Sequence, residues 1–420
     1  MKLAKLSLAA IVVAGLASSS FAADTLADAF KNGTVNGELK AYYFTNDDGK
    51  SNEDIFSTGV MLGYKTASLY GLSLGLTFQG SASPFADDAG KDRFNSSMYG
   101  PGAVLSEAYV AYNIGKTTAM VGRMFLDTPL VASSGSRIIK EAFEGAAVIN
   151  TDLPNTTLIA GYVQKFQSRT NRDGKVGEFT KTFSTNSSAN VDLDNGGYTV
   201  AAINKSITGL TLTGAYAYAD AFYKTGATDT PPDTVAIDGG INIAYVEALY
   251  EGKAGEVGYT VGAQDYYNKF QDVKLGADDS INAFAVKAGL SFKGVNGTVA
   301  YSKVSDDKVI GGALVSGLGN GADLLYTDPV IAMNGYYRDT ASYLADLNYD
   351  ITAAANVGVR YVLADGYILS SIIENKVSST AVYGTYKFES LKGFSLGAQY
   401  EKQAKDGDGD DLWVKANYKF

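Results

Sequence analysis

Leu412-Trp413-Val414-Lys415-Ala416-Asn417-Tyr418-Lys419-Phe420 alternates between apolar and polar or amphipathic side chains to its last residue. Successive side chains of an extended strand point to opposite faces, so Leu412, Val414, Ala416, Tyr418 and Phe420 share one face. Trp413, Lys415, Asn417 and Lys419 share the other. One face suits lipid and the other suits water. The same period recurs upstream: Leu72, Leu74, Leu76 and Phe78 oppose Ser73, Gly75, Thr77 and Gln79, and Val257, Tyr259, Val261 and Ala263 oppose Gly258, Thr260, Gly262 and Gln264. Phe284, Val286, Ala288 and Leu290 oppose Lys287 and Gly289, Val357, Val359, Tyr361 and Leu363 oppose Gly358 and Arg360, and Phe394, Leu396, Ala398 and Tyr400 oppose Ser395, Gly397, Gln399 and Glu401. A polar set of this size is costly against hydrocarbon, so it is expected to face water enclosed by the sheet. A soluble β-helix or sandwich would alternate too, but it would leave the two chain ends and the turn lengths unexplained.

At the N-terminus, Lys2 and Lys5 precede an apolar run from Leu6 to Ala17, and Ser20-Phe21-Ala22 has the small-x-small form of a cleavage site. Residues 1–22 therefore read as a secretory signal peptide, and 23–420 as one exported domain. Removing Lys2 and Lys5 from 35 basic residues leaves 33 against 45 acidic ones, a net charge of −12. Such an acidic protein is not expected to bind nucleic acid. At the other end, a strand closing on Phe420 after Tyr418-Lys419 looks like the terminal signal of outer-membrane barrels, which predicts recognition by the barrel assembly machinery through Phe420. The composition of 47 Gly, 29 Tyr and 19 Phe with only 7 Pro suits tight turns, aromatic girdles and uninterrupted ladders. With no Cys, stability must come from hydrogen-bonded ladders rather than disulfides.

Short turns fall near Lys65–Gly71, Asn113–Thr118, Asp152–Thr156, Asn204–Gly209, Gly252–Glu256, Lys293–Gly297, Tyr349–Ala355 and Glu389–Gly393. Longer polar stretches lie between them, at Asn46–Asp54, Ser81–Ala103, Asp127–Ala142, Ser168–Asn195, Ala221–Gly240, Tyr267–Ser280, Ser305–Asp339, Asp365–Lys376 and Gln403–Asp411. With both termini on one side of the membrane, these eight turns and nine loops require about eighteen strands, so the expected fold is an all-β transmembrane antiparallel β-barrel. Asp24–Lys31 is expected as a short helical or irregular lead-in. A barrel of that width is too wide for its own side chains to fill, so water is expected inside unless a loop folds in.

The segment Arg123-Met124-Phe125-Leu126-Asp127-Thr128-Pro129-Leu130, followed by Gly135-Ser136-Arg137, Phe143-Glu144-Gly145, Asn150-Thr151-Asp152 and Leu158-Ile159-Ala160-Gly161-Tyr162-Val163, resembles the OprD-type porin family. The resemblance spans Arg123–Val163 and departs from the family pattern at Gly135 and at Lys140-Glu141-Ala142. It implies an eighteen-stranded, substrate-specific channel whose third extracellular loop folds into the lumen and forms the constriction. Arg123, Asp127, Ser133, Ser134, Ser136, Arg137, Lys140, Glu141 and Glu144 become the candidate constriction residues. A loop of mixed charge across a pore sets up a transverse field that orients dipolar solutes. Without the resemblance, the same residues would read as an ordinary solvated loop.

Alternation points Lys40, Lys287, Arg360 and Lys415 inward, beside Glu38, Glu107, Glu247 and Asp346. Relatives in the family that pass carboxylates or basic amino acids use basic wall residues, whereas this wall is mixed. The expectation is weak cation preference or passage of zwitterions rather than strong anion selectivity.

Asp406-Gly407-Asp408-Gly409-Asp410-Asp411 has the beginning of a calcium loop but carries Asp where the turn needs Gly and Asn417 where the closing Glu belongs, so it reads as a solvated hairpin tip. Its carboxylates could at most share divalent ions with lipopolysaccharide. No His is present to serve as the base of a hydrolytic site, and no phosphate loop links a strand to a helix. No enzyme activity, cofactor or metal site is expected. The functional expectation is passive diffusion of small hydrophilic solutes through a channel in the outer membrane of a Gram-negative bacterium. The alternative is a structural or adhesive barrel acting through its surface loops, and monomer and homotrimer are both compatible with the aromatic exterior.

Overall fold

The structure, a computed structural model, describes residues 23–185, 190–224, 237–271, 278–309, 312–328, 336–367, 374–406 and 408–420. The expected signal peptide lies outside the described residues, as do Gly407 and parts of several long loops. Eighteen antiparallel strands form the wall: β1 (Thr34–Asp47), β2 (Asn52–Lys65), β3 (Leu72–Ala82), β4 (Gly102–Ile114), β5 (Thr117–Met124), β6 (Ala142–Asn150), β7 (Thr156–Gln167), β8 (Asn190–Asn204), β9 (Leu210–Lys224), β10 (Ile237–Ala254), β11 (Val257–Phe270), β12 (Ser280–Phe292), β13 (Val295–Val304), β14 (Ala341–Asp350), β15 (Ala355–Gly366), β16 (Asn375–Lys387), β17 (Phe394–Lys405) and β18 (Asp410–Lys419). Each strand pairs with the next, and β1 closes on β18 from Glu38↔Lys419 to Asp47↔Asp410. Every strand edge of the wall is thereby paired, as a lipid-embedded sheet requires.

The strands change direction at the eight expected turns and nine expected loops. Helix α1 (Leu26–Lys31) occupies the expected lead-in, capped by Thr25, whose hydroxyl accepts from the Asp28 N–H at 3.1 Å. The wall divides by face as the alternation predicts. Leu72, Leu74, Leu76 and Phe78 are exposed, Leu290 is 64% exposed, and Ser73, Thr77, Gln79 and Gln264 are buried. In water this would be an inverted protein, but in a bilayer the exposed face is the one hydrocarbon covers.

The inner face is not left bare. Loop residues Leu126, Leu130 and Val131 from the third loop, and Leu314, Val315, Leu318 and Leu325 from the seventh, join the wall residues Met124, Phe143, Ile243, Tyr245 and Tyr266 in one buried cluster. Each such Leu or Phe withdrawn from water contributes about 1.5–3 kcal/mol. The two loops also pair directly, in a parallel bridge between Val131 and Leu318. The backbones approach so closely that a Cβ on Gly319, at φ +82°, would collide with the Ala132 carbonyl. Helix α2 (Asp88–Phe94) of the second loop brings Phe94 against Ile138 and Ile139 of the third, over Phe44 and Trp413 of the wall.

Candidate functional site

The third loop, between β5 and β6, is held by side chains of the inner face. Lys40 of β1 donates through Nζ to the carbonyls of Arg137 (3.2 Å) and Ile138 (3.1 Å), and Lys415 of β18 donates to that of Ser136 (3.0 Å). Gln79 of β3 accepts the Lys140 N–H and donates to the Lys140 carbonyl, both at 2.8 Å, so one amide side chain does what a neighbouring strand would. Trp413 lies flat on Phe44, with centroids 4.5 Å apart, and the Arg137 guanidinium covers Trp413 at 4.1 Å. A desolvated cation over an aromatic face is worth about 2 kcal/mol. Burial and the neighbouring Arg169 push Arg137 down to about 9, and burial lowers Lys140 against the pull of Glu107, Asp127 and Glu38. The Lys140 ammonium stands over the Phe125 ring at 4.3 Å.

Within the loop, Asp127 bridges back to Ala132, and the Ser133 hydroxyl accepts the Leu126 N–H at 3.1 Å. Ser134 and Ser136 share a hydrogen bond of 3.1 Å, and Ser136 accepts from Arg137 at 3.1 Å. Glu141, grouped by sequence with the path-lining charges, is fully buried. Its carboxylate accepts from the Ser134 N–H (3.0 Å), the Asn320 N–H (3.0 Å) and the Asn320 amide (2.5 Å), with Arg169 Nε at 3.3 Å. It clasps the third loop to the seventh. The seventh loop is itself bracketed to the wall by amides: Gln264 accepts the Tyr326 N–H at 2.8 Å, and Asn268 accepts the Val315 N–H at 2.6 Å while donating to its carbonyl at 3.0 Å.

Arg123 and Glu144 correct the expectation. Arg123 follows Val121, 64% exposed on the outer face, by two residues, and pairs in register with Glu144 of β6. Both therefore point outward, away from the lumen. The expected wall charges do lie on the inner face. Glu38 is 3.7 Å from Lys40, Glu107 accepts from the Thr77 hydroxyl at 2.5 Å and the Phe125 N–H at 3.2 Å, and Glu247 accepts from the Tyr326 hydroxyl with Lys287 at 4.0 Å. Asp346 pairs with Arg360 at 2.8 Å and accepts from Tyr383 at 2.9 Å. Charges of both signs thus occupy one surface, most of them in pairs. Gln79, Arg169, Gln264, Asn268 and Asn320 were not singled out from sequence. For the two Gln, their inward register was the available signal, whereas Asn268 fell in the stretch Tyr267–Ser280 expected as loop.

The profile of the family described as "outer membrane porin, OprD family" matches residues 86–310, more than half of the chain. The chain belongs to the OprD family of outer-membrane porins. Solved structures of this architecture include Pseudomonas aeruginosa OccK8 (OprE), with a TM-score of 0.74, 15% identity, and coverage of 93% of this chain and 98% of that one. Acinetobacter baumannii OccAB2 superposes with a TM-score of 0.75 at 17% identity over 94% and 99%, and P. aeruginosa OpdK with vanillate with 0.73 at 13% over 93% and 99%. No curated protein sequence matches the chain. The family is one of porins, not of enzymes. This OprD-family porin is a closed eighteen-stranded barrel of the outer membrane, and its function is passive diffusion of small solutes.

Proposed function

We propose that the third and seventh loops together narrow the lumen, and that the remaining path favours small hydrophilic solutes carrying both a positive and a negative group. The observation that carries this reading is the attachment of Ser136–Lys140 to Lys415, Lys40 and Gln79 on the inner face, joined to the seventh loop by Glu141 and Asn320. Arg137, Lys140, Lys40 and Lys415 supply the positive side of the field, and Glu38, Glu107 and Asp127 the negative side. A fixed transverse field orients a zwitterion and gives little advantage to an ion of either sign.

The test is planar-bilayer recording of the refolded porin. Deleting residues 127–142 is expected to raise conductance, and reversal potentials in a salt gradient are expected to show weak cation preference at neutral pH. Unchanged conductance, or clear anion selectivity, defeats the reading. Amino acids, small carboxylates and vanillate are suitable additions, with block by zwitterions expected to be the strongest. Residues 1–22 act on this reading as a cleaved signal peptide. Phe420, exposed outside the wall with its N–H donating to Gly37, serves as the contact for the barrel assembly machinery.

A further inference from the structure

Outward-facing charge is out of place on a barrel's apolar wall, and Arg123 and Glu144 are two of three such residues in register. The third is Lys165 of β7, which faces Glu144 across the strand pair because Gln164 is bulged out between Val163 and Lys165. Glu144 sits between the two cations, 3.1 Å from Arg123 Nε and 3.2 Å from Lys165 Nζ. Two positive groups against one negative leave a net positive charge. The Arg123 and Lys165 side chains remain 37% and 39% exposed, with Phe179 lying 4.3 Å over the guanidinium.

The depth of the cluster is marked twice. Immediately below it the rings of Tyr162 and Tyr198 pack at 5.0 Å, as in an interfacial aromatic girdle. Immediately above it β5 ends at Met124 and β6 begins at Ala142. The charges therefore stand at headgroup level on the loop-bearing side, where the outer leaflet carries phosphorylated glycolipid. We propose that Arg123 and Lys165, spaced by Glu144, form a binding site on the outer wall for a phosphate of lipopolysaccharide. A guanidinium edge and an ammonium converging from the two strands that flank β6 offer a phosphate several charge-assisted hydrogen bonds. A second copy of the chain bringing the same net positive cluster would be repelled, whereas an anionic lipid is attracted.

The test is native mass spectrometry of the full barrel in detergent with diphosphorylated lipid A or its dephosphorylated counterpart. The wild type is expected to retain the phosphorylated lipid at least roughly tenfold better, and R123Q/K165Q to lose that preference. Glu144→Gln removes the competing carboxylate and is expected to strengthen retention. Because it keeps both cations, its opposite sign carries the test should the double variant fail to close into a heat-modifiable barrel. Equal retention of the two lipids, or retention unchanged in the variants, overturns the proposal. So does a change of oligomeric state in the variants with lipid retention intact, which would assign the cluster to contacts between copies.

Discussion

Replacing Glu141 with Leu separates the stability of the barrel from the stability of the contact between its third and seventh loops. The carboxylate is fully buried, accepts from the Ser134 N–H and two donors of Asn320, and forms an ion pair with the Arg169 guanidinium. Leucine is of comparable size but offers none of these acceptors, and a buried ion pair broken by loss of one partner costs about 3–5 kcal/mol. The wall does not bear that cost, because its ladders run through eighteen strands that Glu141 does not join. The cost falls on the contact between the third and seventh loops. At one decade per 1.4 kcal/mol, the population in which the two loops part rises by roughly two to three and a half orders of magnitude. In single-channel records, E141L is expected to show frequent excursions to a larger conductance that are rare in wild type, with the thermal unfolding of the barrel almost unchanged. E141Q keeps one acceptor and should fall between the two. Records of E141L indistinguishable from wild type, together with unchanged protease resistance of the loops, would refute the clasp.

Trp413 is the chain's single tryptophan, so Arg137→Gln should red-shift the emission and increase acrylamide quenching as water reaches the indole; an unchanged spectrum would mean that the guanidinium does not cover it. Lys140, its pKa lowered by burial, should lose its proton at a lower pH than a free lysine. Between the folded and unfolded values the unfolded chain holds more protons, so its contribution to stability rises with pH, while the lumen loses a positive charge and cation preference grows. Reversal potentials titrated into the alkaline range should show this drift in the wild type and a smaller one in Lys140→Met, where Arg137 still titrates. Val299→Arg, mid-strand on the outer face of β13, should lower unfolding stability in lipid vesicles by about 2–4 kcal/mol, whereas an equal result in detergent and lipid would argue against a hydrocarbon-facing position.

The wall was legible because every strand repeats one physical requirement, apolar side chains on alternate positions between turns too short to do anything else. What a loop does carries no such period. The third loop was found through a family motif, and the motif drew Arg123 and Glu144 into the path although the register from Val121 already placed Arg123 outside. The seventh loop read as a solvated stretch, yet Leu314, Val315, Leu318, Leu324 and Leu325 are more apolar than an exposed loop needs, and they now lie in or against the inner cluster. Glu141 could not be placed from sequence, since a buried acceptor and a pore-lining charge are the same residue until its donors are known. The amides Gln79 and Gln264 were visible as inward-facing, but their partners are backbone groups tens of positions away, and Asn268 fell in a stretch read as loop although the strand runs on to Phe270.

The seam between β1 and β18 joins groups as remote as Tyr42 and Asn417, 375 positions apart. Closure of this kind is a topological checkpoint. A fragment lacking either margin retains a raw strand edge that nothing within it can cap, and in hydrocarbon those unmet amides forbid a resting state. Only a polypeptide carrying both margins can become a tube, so the architecture proofreads its own synthesis.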